Sequence, residues 1–167
     1  MLKPQDILVA LRLATALEGE RTFPRLAAAL GMSASETHAA VRRAIASGLV
    51  DGATRSVRKS SLLEFLLHGL RYVFPAEWKG VTRGVPTSYA APPLLAQFSI
   101  GDLPPVWPHP EGTSRGEGLV PLYRSVPSAA LRDPEFYEWL ALVDAVRSGR
   151  ARERRMAADE LERRLTG

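Results

Sequence analysis

Ten of the thirteen prolines fall between residues 75 and 132. Proline fixes φ and lacks an amide N–H, so it breaks helix interiors and is excluded from the middle of a sheet. That bias divides the chain into a helix-compatible stretch, a proline-rich middle and a second helix-compatible stretch. The middle also holds Trp78, Tyr89, Phe98, Trp107 and Tyr123. These are too many aromatics for a plain disordered linker. A structureless loop of this length is unusual inside a compact domain. Residues 75–132 therefore read as an irregular packed segment with a few short strands, wrapped over the helices.

Ahead of it, residues 3–50 read as three helices. Pro4 suits a first helical turn and Asp6 complements the positive end of the helix dipole. Ile7, Leu8, Leu11 and Ala14 recur at helical spacing, and Gly19 ends the pattern. Thr22 is an N-cap for a short second helix that Gly31 breaks. Ser33 and Glu36 form an S-x-x-E capping box opening a third helix to about Ser47, and Gly48 stops it. Asp51-Gly52 signals a turn that short β segments could flank. Residues 61–74 are apolar nearly all round and predict a buried helix. After the proline-rich segment, Asp133-Pro134 caps another helix, which carries Phe136, Leu140 and Val143 in one stripe beside Trp139, Leu142 and Val146. Gly149 ends it, and residues 150–165 form a charged helix.

With 167 residues and 46% hydrophobic content, the chain can build one core or two small ones. Its formal charge is +4 and its pI near 9.8. The cationic surplus sits in residues 1–60, with nine Lys/Arg against five Asp/Glu. That suits a polyanion partner without requiring one. The absence of cysteine excludes disulfides, thiolate zinc sites and cysteine nucleophiles, and suits a reducing cytoplasm. Asp6 and Arg12 interrupt any leader-like apolar run, and no stretch reaches the ~18 apolar residues of a membrane span. A cytoplasmic protein is expected.

The stretch Thr22 to Val50, TFPRLAAALGMSASETHAAVRRAIASGLV, resembles the helix-turn-helix of MarR-type and related winged-helix transcriptional regulators. The matching elements are Leu26-Ala27, Leu30-Gly31, Ser33, Val41 and Gly48-Leu49-Val50. Ala27 lets two helices cross closely, Gly31 supplies a left-handed turn, and Leu49 and Val50 enter a wing strand. Thr37 and Ala44 depart from the pattern, being smaller or more polar than the usual core residues. The match covers about the first 60 residues. It implies a fold that is mainly α with a small β wing: an N-terminal winged helix-turn-helix over residues 1–60, followed by a helical region over 61–167 for dimerisation and sensing. The implied activity is sequence-specific binding of double-stranded DNA by a bacterial regulator, more often a repressor. The bland alternative is a three-helix element with no role on DNA.

On that resemblance, the third helix enters the major groove N-terminus first and presents Ser35, His38, Ala39, Arg42 and Arg43. Arg42 can reach guanine or a phosphate, and Arg43 a phosphate. Arg55, Arg58 and Lys59 cluster in the expected wing, where a hairpin tip can touch phosphates or the minor groove. A solvated face or loop is the competing reading for each cation.

Catalytic motifs are weak. Gly112-Thr113-Ser114-Arg115-Gly116 has the G-x-S-x-G spacing, but no histidine follows it. Ser56 to Lys59 matches S-x-x-K without companion motifs. His38, His68 and His109 stand far apart, and no set has metal-ligand spacing. Neither a cofactor nor an enzymatic activity is expected; an enzyme would need a cluster such as His109, Glu111, Arg115 and Glu117. Trp78, Tyr89, Trp107, Arg115 and Tyr123 are candidates to line a site for a small-molecule or protein effector, or simply cover the helix 61–74. A homodimer is expected through helices 61–74 and 133–147, because one short recognition helix makes few contacts. The rival function is a winged-helix adaptor module without DNA binding.

Overall fold

Pro4 opens α1 (Pro4–Thr15), and the Asp6 carboxylate folds back to accept the Lys3 amide at 2.8 Å. The computed structural model describes residues 1–167. Helix α2 (Phe23–Leu30) is capped by Thr22, whose hydroxyl accepts the Arg25 amide, and ends on Gly31 at φ +64°. Helix α3 (Ala34–Ala46) starts with the reciprocal Ser33–Glu36 capping box expected of the sequence. Thr37 fills its core position without an orphaned hydroxyl, because its Oγ1 donates to the Ser33 carbonyl at 2.8 Å.

The wing is where expectation and structure part. Only one residue pair, Val50 and Val57, bridges across the turn that follows α3. The Asp51 carboxylate accepts the amides of Ala53 and Thr54 at 2.9 and 3.0 Å and so satisfies the turn locally. An isolated hairpin this short is marginal in water. Lys59, expected on the wing, is the first residue of α4 (Lys59–His68).

Gly69 separates α4 from a single turn, α5 (Leu70–Val73). Leu62, Leu66 and Leu70 are buried, but Tyr72 and Val73 are exposed. The segment 61–74 is therefore covered on one side only.

The strands lie in the proline-rich middle: β1 (Trp78–Pro86), β2 (Pro105–Pro108) and β3 (Ser114–Leu119). β1 pairs antiparallel with both others, β2 and β3 pair in parallel, and the three close on themselves. So small a ring needs backbone-to-backbone approach. A Cβ on Gly84 would stand 2.0 Å from the Trp107 carbonyl oxygen, and one on Gly116 would stand 1.9 Å from that of Pro104. The second glycine of the G-x-S-x-G run is thus a closure residue, and Ser114 lies within a strand rather than on a strand-to-helix elbow.

Three helices complete the chain: α6 (Val126–Arg132), α7 (Pro134–Ser148) and α8 (Ala151–Thr166). Asp133 caps α7 by accepting the Phe136 amide at 3.2 Å. The ring is tied to α7 through Asp144. Its Oδ2 accepts the Thr87 hydroxyl at 2.8 Å and the Trp107 indole N–H at 2.6 Å, and its Oδ1 accepts from Arg147 at 3.2 Å. Arg147 also donates to the Val120 carbonyl at 2.8 Å, so the buried ion pair is reinforced by further hydrogen bonds, although the Arg147 Nε is left without a partner.

Every residue of α7 from Trp139 to Arg147 is buried within this one chain. Its surplus apolar surface, expected to face a second copy, is taken up by α8, α6, α5 and α1. The dimer interface assigned to helix 133–147 is therefore corrected: that helix is the centre of the monomer. One apolar cluster of 34 residues runs from Ile7 to Leu165, so residue 60 marks a change of elements and no break in the core. The fold is mainly α with a small sheet. No helix is long and apolar enough to cross a membrane.

Candidate nucleic-acid interface

Helix α3 divides into a core side and an outer side. Thr37, Ala40, Val41 and Ala44 are buried against α1 and α2. Opposite them, Ser35, Arg42 and Ala46 are exposed, with Ala39 half-exposed between them. Arg42 enters none of the molecule's ion pairs. This outer strip has small side chains around one free guanidinium.

The two flanks of the strip are occupied differently. On one, His38 stacks on Phe23 with ring centroids 3.8 Å apart, and the Arg55 guanidinium sits 4.2 Å from the Phe23 centroid. Phe23 thus gathers a histidine and an arginine beside the N-terminus of α2. Arg55 is held there by a backbone at φ +59°. Arg58 is exposed and loosely paired with Asp51 at 3.4 Å, and Lys59 is exposed at the start of α4. Hydrogen bonds from Thr54 and Ala53, with help from Arg58, hold the Asp51 carboxyl below its ordinary pKa.

The other flank belongs to the rest of the molecule. Arg43, assigned to a phosphate from the sequence, grips Asp6 instead. Its Nε and Nη2 reach the carboxylate at 2.8 Å each, and the Asp6 side chain is fully buried. The bond to Asp6 raises the Arg43 pKa. Glu36 accepts the Arg124 guanidinium at 2.6 Å and the Tyr123 hydroxyl at 3.1 Å. The Arg124 contact is the chief cause that lowers the Glu36 pKa. Arg132 donates to the Ala28 and Ala29 carbonyls at 3.5 and 3.1 Å, capping the C-terminal end of α2.

Of the residues expected on DNA, the structure thus leaves Ser35, Ala39 and Arg42 on one open strip. His38 and Arg55 stand together on Phe23, Arg58 and Lys59 lie further along, and Arg43 turns inward. Arg25, exposed in the first turn of α2, and Arg124, paired with Glu36 of α3, were not singled out by sequence reasoning. Arg25 carried no periodic signal, and Arg124 comes from a segment 88 residues from Glu36.

The five residues expected to line an effector site do not converge. Trp107 is fully buried, with its indole committed to Asp144. Tyr123 serves Glu36, and Arg115 is exposed on β3 opposite Arg83. Only Trp78 and Tyr89 share a cavity, of about 310 Å³, between the ring and the start of α8. Trp107 is thus committed to α7 and Tyr123 to α3. Nor do the histidines and acids gather: no group of three His, Cys, Asp or Glu is placed to hold a metal ion.

Comparison with family models, with curated proteins and with solved structures finds no match to this chain.

Proposed function

We propose that the protein is a sequence-specific, double-stranded DNA-binding transcriptional regulator, acting as a repressor by occupying its operator. The observation that carries this reading is α3 itself. It is N-capped by Ser33, set across α1 and α2 by the left-handed Gly31, and its outer strip of Ser35, Ala39 and Arg42 has no intramolecular partner. Small residues allow close approach to a groove, and a free arginine supplies guanine or phosphate contact. Cations at Arg25, Arg55, Arg58 and Lys59 lie on the side toward α2 and α4.

Two copies on a pseudo-palindromic site would supply the area that one short helix lacks. With α7 internal, Tyr72 and Val73 are the large apolar side chains that the 61–74 segment leaves exposed for such pairing. Light scattering at tens of micromolar tests the dimer, and a monomer there removes it.

The adaptor reading draws support from the modest base-reading chemistry of the strip, which offers a single arginine and neither Asn nor Gln. A mobility-shift assay with random genomic fragments separates the two. Salt-sensitive retention with enrichment of particular fragments supports regulation; no retention at low salt supports the adaptor.

A further inference from the structure

The cavity shared by Trp78 and Tyr89 has a chemistry of its own. It is walled by Trp78 and Glu117 from the ring, by Ser88 and Tyr89 from the turn after β1, by Phe98, and by Arg150 and Glu153 from the start of α8. At about 310 Å³ it falls in the lower range of small-ligand sites. Ser88 is buried with φ +56°, a conformation unusual for a residue with a side chain. That bend aims the following Tyr89 toward Phe98, with their centroids 5.7 Å apart.

Two carboxylates and three aromatic rings line this space, against one guanidinium. Glu117 and Glu153 take part in none of the molecule's ion pairs. One Glu153 oxygen accepts the Arg150 amide at 3.3 Å, which leaves the other free. Both carboxylates are near enough to Tyr89 to help hold its hydroxyl protonated, after burial as the first cause. The neighbourhood already draws a cation from the chain itself, since the Arg152 guanidinium lies 4.9 Å from the Phe98 centroid. Among the tryptophans, Trp107 and Trp139 are 0% and 6% exposed while Trp78 is 42% exposed, so a large apolar surface stands open at the rim.

Unpaired carboxylates beside aromatic faces are the combination that recognises an organic cation. The ring quadrupoles attract the charge, and the carboxylates accept its hydrogen bonds. We infer that this cavity is a binding site for a small organic cation, an ammonium or guanidinium carried on an aromatic or aliphatic body. Glu117 and Glu153 hold the charge and Trp78, Tyr89 and Phe98 cover the body. Arg150 opposes a cation from one wall, and the two carboxylates outnumber it in the lining.

The test uses the full chain and needs no DNA, so its failure leaves the DNA reading standing, and failure of the DNA reading leaves it standing. The probes are phenethylamine, its neutral analogue phenethyl alcohol, and the anion phenylacetate, followed by calorimetry and by tryptophan fluorescence. Phenethylamine is expected to bind saturably and at least about tenfold more tightly than either analogue, a factor that one charge contact readily supplies. Glu117→Gln and Glu153→Gln should each weaken it by about tenfold, with melting temperature unchanged, since glutamine keeps the N3 capping role at residue 153. Trp78→Phe should abolish the fluorescence response and weaken calorimetric binding, because phenylalanine offers the ligand a smaller face. Three results would overturn the proposal. One is no saturable binding of phenethylamine, or of agmatine as an aliphatic guanidinium, up to about 10 mM. Another is binding that ignores both glutamine substitutions. The third is tighter binding of phenylacetate, which would hand the site to Arg150 and an anion.

Discussion

Arg43 of α3 and Asp6 of α1 form a bidentate pair across 37 residues of sequence, with the carboxylate at 0% exposure and the guanidinium side chain at 24%. The pair bridges α3 to α1 beside their shared apolar core, on the side away from the outer strip. Removing the arginine leaves a buried, uncompensated charge. Arg43→Ala is expected to destabilise the fold by about 3 kcal/mol, toward the range measured for broken buried pairs. Denaturant unfolding checks this. A loss below about 0.5 kcal/mol, the level of an ordinary surface substitution, would show that the pair does not hold the helices.

Arg42 should behave in the opposite way, because nothing inside the molecule depends on it. Arg42→Ala is expected to leave the melting temperature unchanged and to lower specific DNA binding more than non-specific binding, by about 1–3 kcal/mol if it reads a base. Arg58→Ala and Lys59→Ala should weaken both alike and reduce the salt dependence by roughly 0.9 log units per log unit of salt for each lost phosphate contact. Salt titrations of each variant on a selected fragment and on random DNA decide it. Unchanged binding in all three variants would remove α3 as the recognition helix.

The strand ring has no slack at Gly84 and Gly116, where an added methyl meets a carbonyl oxygen of the neighbouring strand. Gly84→Ala and Gly116→Ala should each destabilise the protein by about 3 kcal/mol or more, since backbone must shift to make room. Gly19→Ala, which meets nothing within 4 Å, is the control and should be near neutral. Thermal melts of the three variants would show whether closure of the ring is as tight as its geometry.

Tyr137 carries the clearest pH signature. Its hydroxyl donates to the Pro86 carbonyl, and burial raises its pKa from 10.0 to about 12. A raised phenol pKa means the folded state holds its proton more tightly than the unfolded state. The stabilisation is therefore complete below pH 10.0 and is lost as pH rises from there toward about 12. In an ultraviolet absorbance titration of the four tyrosines, Tyr137 should ionise last, beyond Tyr89 and Tyr123, whose pKa values burial also raises. Tyr137→Phe should delete that late step. A titration in which the late step survives the substitution assigns it elsewhere.

What was legible in the sequence was local. Thr22, Ser33 with Glu36, and Asp133 mark helix starts because a cap is a contact made within three residues, and such contacts leave a spacing in the chain. Gly31 was legible for the same reason, since its left-handed turn is a property of one residue. The ring was legible only as a few short strands, because its closure rests on approaches such as Gly84 to Trp107, set by distant pairing. The partners that redirected Arg43, Trp107 and Tyr123 were not legible. Asp6, Asp144 and Glu36 lie 37, 37 and 87 residues away. Helix α7 shows the same limit from the other side. Its apolar stripe was visible, but whether a stripe meets its own chain or another copy depends on packing that periodicity does not encode.

The single core that joins α1 and α3 to α7 and α8 also decides how the protein could meet an uneven target. Helix α3 shares that core with the rest of the chain, so on the proposed reading its outer strip would not swivel independently toward a displaced half-site. If two copies paired rigidly, as the proposed reading would require, the pair would act as a fixed caliper. It would register two half-sites at one separation, and a single inserted base pair, which both lengthens and rotates the interval, would have to be absorbed by the DNA.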